Sequence, residues 1–130
     1  MCEDVLMNSL LIFFGAGLGG LVRYWVSNGV YWFLGRNFPY GTLVVNVSGS
    51  FLMGLLFALI VERFDGIGPQ LRALLLIGFL GGYTTFSSFS IETLNLFESG
   101  AWVDASVNIF LSVTLCIALT WLGVLGGRQL

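Results

Sequence analysis

The sequence predicts an all-α membrane protein of four transmembrane helices, the third broken near the bilayer centre. Three observations carry this. The chain of 130 residues is 57% hydrophobic and only 9% charged. A soluble domain carries roughly 25% charged residues, so this composition cannot clothe a water-facing surface. Four stretches reach the roughly 20 mainly apolar residues that a helix needs to cross a hydrocarbon core. The third contains "GGYTTFSSFS", residues 81–90, in which two glycines and six hydroxyl-bearing residues interrupt an oily run.

The first span covers about residues 9–33, with Arg23 in its second half and a GxxxG pair at Gly15 and Gly19. The second covers about 40–61. Thr42, Asn46 and Ser50 recur there at i, i+4 and i+8 and share one helix face. Ser50 and Gly54 make a small-xxx-small pair, which lets backbones approach closely. The third span covers about 71–97 and the fourth about 104–125, where Asn108, Ser112, Cys116 and Thr120 repeat the four-residue spacing. The connections "GRNFPYG", "ERFDGIGPQ" and "ESGAW" are short. Residues 1–130 therefore read as a single transmembrane domain, with no linker, low-complexity tract or clear repeat.

Composition also excludes functions. The chain has five arginines, no lysine and no histidine, with a net charge of -2. It offers no basic patch for nucleic acid and no histidine for metal binding or acid–base work. Cys2 and Cys116 fit no zinc spacing. The acidic start "MCEDVLMNSL" lacks the positive region of a signal peptide. No paired carboxylates and no nucleophile–base pair lie at membrane depth, so an enzyme is not expected.

Cytoplasmic loops accumulate basic residues. The side holding the N-terminus, the second loop and the C-terminus has Arg63, Arg72 and Arg128; the opposite side has Arg36, joined by Arg23 if it reaches the interface. So weak a bias fits insertion in both orientations or a single orientation with a small preference. Four thin helices enclose little interior, so an oligomer is expected.

The polar stripes have two readings. Small and hydroxyl residues mediate helix contacts in membranes, and they can also line a path. Asn46 matters most, because an amide facing lipid lacks partners. Arg23 and Glu92 are the ionisable groups nearest membrane depth, where charge is expensive and usually functional. At the break, Gly81 and Gly82 weaken the helix while Thr and Ser compete for its backbone hydrogen bonds. Unwound backbone at membrane depth needs burial in protein or a water-filled cavity, and its freed carbonyls can coordinate a cation. Phe86 and Phe89 follow at i and i+3. Their electropositive ring edges could replace water around a small anion without the fixed charge that would trap it.

These features together resemble a family. "GGYTTFSSFS" on a broken third helix, the arginine in "GGLVRYW", and "GTLVVNVSGS" are similar to the motifs of the Fluc (CrcB) fluoride channels, over nearly the whole chain. The resemblance implies an antiparallel, dual-topology homodimer in the lipid bilayer of a bacterial inner membrane, conducting fluoride passively through two pores. It implies a sodium ion held by main-chain carbonyls, here those of Gly81 and Thr84. Phe86 and Phe89 match the pore phenylalanines and Asn46 the pore asparagine. Thr42, Ser88 and Ser112 fall on the polar track, Arg23 on the vestibule arginine, and Glu92 on the third-helix glutamate. The resemblance carries no role onto Asn108. Cys116 stands where the track has a hydroxyl, and a thiol is a weaker donor.

The alternative is a dual-topology, proton-coupled exporter of the small multidrug type. That chemistry needs a carboxylate deep in an early span, and the first two spans have none there. A non-conducting structural subunit would have no use for paired polar stripes facing a helix break.

Overall fold

The computed structural model describes residues 1–64 and 67–130. Asp65 and Gly66, within the connection read between the second and third spans, lie outside the described residues. Helix α1 is Cys2–Leu34 and α2 is Tyr40–Arg63. Helix α3 covers residues 68–83, α4 is Phe86–Glu98, and α5 is Trp102–Gln129. Four helical segments are long and apolar enough to cross a membrane, α3 and α4 together making the third. All exceed the apolar stretches read from the sequence. At about 1.5 Å per residue, the 33 residues of α1 outreach a hydrocarbon core of roughly 30 Å.

The ends follow local chemistry. Gly35 takes a positive φ of 80° after α1, and its N–H closes on the Tyr31 carbonyl. Pro39 then precedes α2, where its missing N–H leaves no donor orphaned. Helix α4 ends at Glu98, and the chain turns away at Gly100, whose φ is 83°. There the Ala101 N–H bonds the Leu96 carbonyl and the Gly100 N–H bonds that of Phe97, the paired closure of a Schellman end. Within α3, Arg72–Leu80 is wound as a π-helix, a rare winding that recurs at functional sites.

Two close helix pairs build the bundle. Gly15 and Gly19 of α1 lie directly on the backbone of α3, at Leu74 and Gly78 and at Phe79 and Tyr83 respectively. On the other side, Gly54 of α2 meets Thr120 of α5, and Gly123 meets Phe51. A methyl group at any of these glycines would overlap backbone atoms of the neighbour. The hydroxyl of Thr120 lies 3.1 Å from the Ser50 carbonyl across the pair and 2.8 Å from the Cys116 carbonyl of its own helix, sharing its proton between them. At the far end of this pair Arg128 grips Glu62 through Nη2 at 2.7 Å, an exposed contact of small energetic weight. The two pairs meet where Val45 and Ile60 of α2 pack on Leu76, Leu80 and Tyr83 of α3. Outside this core, large apolar groups such as Phe13, Trp25, Phe110 and Ile117 are exposed, as suits lipid or a second chain.

Candidate functional site: the link between the third-span half-helices

Thr84 and Thr85 separate α3 from α4. Both are extended, with φ/ψ of -81°/159° and -153°/113°. Threonine suits this: its branched Cβ disfavours helix, and its hydroxyl caps helix ends. The Thr84 N–H and hydroxyl both donate to the Leu80 carbonyl, at 2.9 and 3.0 Å, and close α3. Thr85 opens α4, its Oγ1 accepting the Ser88 N–H at 3.1 Å. Gly49 leaves the space that the Thr84 methyl and the Tyr83 ring occupy.

Asn46 of α2 clamps this link. Its Oδ1 accepts the Thr85 N–H at 2.8 Å, and its Nδ2 donates to the Thr85 carbonyl at 2.9 Å. One side chain thus satisfies both main-chain groups of a buried residue. The consequence falls on two other carbonyls. In an unbroken helix Gly81 would accept from the Thr85 N–H, and Thr84 from the Ser88 N–H. Both donors are engaged elsewhere, by Asn46 and by the Thr85 hydroxyl. Gly81 adds open space, since the nearest atom to a Cβ there would be the Leu76 carbonyl oxygen at 3.9 Å. Among the described residues, no group of three His, Cys, Asp or Glu side chains is placed to hold a metal ion.

About two turns beyond the link, Glu92 collects donors from two helices. Thr42 donates to its Oε1 at 2.8 Å and Tyr31 at 3.2 Å. Oε2 is buried without a hydrogen-bond partner among the described residues. Arg23, Thr42, Ser88 and Glu92 line one cavity of about 460 Å³ together with Tyr31. Arg23 makes no ion pair among the described residues.

Asn46, Thr84 and Phe86 line a second, smaller cavity of about 240 Å³ beside Ser50 and Thr120. The Phe86 and Phe89 rings are 5.3 Å apart, tilted by 47°. Phe86 is 77% exposed and Phe89 only 9%, so the two face different surroundings in one chain. Ser112 stands apart from both cavities, its hydroxyl 3.4 Å from the Asn108 Oδ1. The α5 stripe is thus divided: Asn108 turns to Thr93 of α4, Thr120 to α2.

Sequence reasoning missed Tyr31, Thr85 and Thr93. Tyr31 was detectable, because Arg23, Ser27 and Tyr31 continue the four-residue spacing seen in the other stripes. Its ring sits against Gly41, with the Arg36 guanidinium 4.8 Å above it. Thr85 is one hydroxyl among six neighbours, and nothing local singles it out as the cap. The π-helical winding had no sequence signal.

Comparison with known proteins covers most of the chain. The family model described as "CrcB-like protein, Camphor Resistance (CrcB)" matches residues 10–124. A protein of Coxiella burnetii (strain Dugway 5J108-111), named fluoride-specific ion channel FluC, is 63% identical over 124 residues, covering 95% of this chain and 100% of the relative. Proteins of the same name from Magnetococcus marinus and Geobacter metallireducens are 51% and 53% identical, over 88% and 90% of this chain and 92% and 93% of their own lengths.

Proposed function

The chain belongs to the CrcB-like family, and from that membership we propose that it is a fluoride-selective passive channel that exports cytoplasmic fluoride. It is a membrane conductor and not an enzyme. The observation that carries this is the likeness to a relative named as a fluoride-specific ion channel, at 63% identity over that relative's full length. Fluoride enters cells as membrane-permeant HF and dissociates at neutral internal pH, so a passive anion path suffices for export. The test is efflux from liposomes holding the purified protein. Fluoride should leave rapidly and chloride should not; equal release of both, or of neither, overturns the reading.

Finer features extend this reading. The two half-helices meet at mid-bilayer, and the protein works as an antiparallel homodimer in the bacterial inner membrane. Support comes from the weak arginine bias and from exposed apolar residues such as Phe86, which a second chain would cover. Phe86 and Phe89 present ring edges to fluoride. Asn46, Thr42, Ser88 and Ser112 supply donors along the way, with Arg23 and Glu92 in the vestibule. The shared cavity of Arg23, Thr42, Ser88 and Glu92 supports the vestibule assignment.

The freed carbonyls of Gly81 and Thr84 suit a sodium ion at the dimer axis, two oxygens coming from each chain. No carboxylate lies within the link, which argues against calcium or magnesium. Bound there, sodium would supply a fixed positive potential beside the anion paths and tie the two chains together. The side chains around it act separately, since Asn46 and the Thr85 hydroxyl keep the carbonyls from returning to helical donors.

A further inference from the structure

Resting on the channel reading, we propose that Thr93 and Asn108 are positioning residues of the conduction path. Their hydrogen bond fixes α4 against α5 and thereby sets where the Phe89 ring stands.

A directed chain of hydrogen bonds carries this. Ser112 Oγ donates to Asn108 Oδ1 at 3.4 Å, Asn108 Nδ2 donates to Thr93 Oγ1 at 2.9 Å, and Thr93 Oγ1 donates to the Phe89 carbonyl at 2.7 Å. Every donor points from α5 towards the backbone of Phe89. Thr93 has one hydroxyl proton and gives it to Phe89, so it meets Asn108 as an acceptor. That fixes the orientation of the Asn108 amide, with its oxygen towards Ser112. Asn108 is 1% exposed, and Thr93 and Ser112 are buried too. A buried amide in an apolar helix is costly without partners, and a mere packing position would be served by leucine or alanine.

The location adds the mechanical point. Helix α4 has only 13 residues. Its N-terminal end is held by Asn46 through Thr85. Glu92 ties it to Thr42 of α2 and Tyr31 of α1. The adjacent residue, Thr93, ties it to α5. Neighbours on a helix point about 100° apart, so these two bonds restrain α4 against both rotation and lateral shift. Phe89 lies one turn before them, on the restrained segment.

The experiment combines fluoride efflux from liposomes with 19F NMR of 4-fluorophenylalanine placed at position 89. Thr93→Val keeps shape and removes the hydroxyl. Efflux should fall at least about tenfold, as small misplacements of functional groups do, and the resonance at position 89 should move. Thr93→Ser should restore both. Asn108→Leu breaks the same bond from the other side, while also freeing the Ser112 hydroxyl; it should lower efflux and move the resonance at least as far as Thr93→Val does, and the double variant should be no slower than Asn108→Leu. It also serves as the readout if Thr93→Val does not fold. Wild-type efflux from folded Thr93→Val and Asn108→Leu, with an unmoved resonance, overturns the positioning role alone. Absence of fluoride efflux from the unmodified protein overturns the channel reading and this role with it.

Discussion

Replacing Asn46 by leucine tests the origin of the break. Leucine has a similar volume and no polar atoms. The variant removes an acceptor 2.8 Å from the Thr85 N–H and a donor 2.9 Å from its carbonyl. Thr85 is buried, so water does not readily replace either. Leaving one buried polar group unsatisfied costs about 1–3 kcal/mol, so two cost about 2–6 kcal/mol by the same measure. The chain can recover part of this by winding Thr85 into the helix, returning its N–H to the Gly81 carbonyl. Asn46→Leu should therefore melt at lower temperature, lose any stabilisation by sodium, and conduct little fluoride. The assays are thermal denaturation with and without sodium, and efflux read by a fluoride electrode. Asn46→Asp separates clamp from pore. It keeps the acceptor for the Thr85 N–H but turns an oxygen on the Thr85 carbonyl. If ionised, it also repels an anion 4 Å away by roughly 4 kcal/mol at an effective dielectric near 20. Wild-type melting and wild-type efflux in Asn46→Leu would refute the clamp.

Phe86→Ile and Phe89→Ile keep bulk and remove the ring quadrupole. Each should reduce fluoride efflux steeply in protein that stays folded, and unchanged efflux in both would return the rings to a packing role. Topology tags or cross-links should find both orientations of the chain in one membrane; a single orientation throughout would refute the antiparallel dimer. Thr84→Ala should spare sodium binding, because the main-chain oxygen remains and the Thr84 hydroxyl is turned back to Leu80. Replacing all sodium by a large organic cation should weaken the dimer or its conduction, and indifference of both would dismiss the site.

The sequence disclosed what depends on composition and spacing. Four apolar stretches gave four spanning helices, and the GxxxG pair at Gly15 and Gly19 is where α1 rests on α3. It could not disclose which partner each polar residue chooses. The stripe of Asn108, Ser112, Cys116 and Thr120 reads as one face, yet the structure turns its two ends to different helices. Helix crossing decides that, and periodicity within one helix is blind to it. Asn46 stands out for its cost in lipid, but its bond to Thr85 joins residues 39 apart. Tyr31 reaches Glu92 over a separation of 61 residues. Such pairings are fixed by tertiary packing alone.

The same pairings bear on how an anion could pass. Along the proposed path, the Thr42 proton goes to Glu92, the Ser112 proton to Asn108, and one Asn46 amide proton to Thr85. An arriving fluoride would therefore compete for donors that already have acceptors. Each capture is an exchange of one hydrogen bond for another, so its net gain is smaller than the roughly 1.5–3 kcal/mol that a hydrogen bond to a charged group contributes. A path of free donors and exposed cations would hold the ion more tightly and release it slowly. Conduction needs sites attractive enough to enter and weak enough to leave. The 3.4 Å separation of Ser112 from Asn108 is the loosest of these bonds and the easiest to exchange. Arg23 lines the same cavity as Glu92 and Thr42, without an ion pair among the described residues. Neutral donors that already have internal acceptors favour transit over capture.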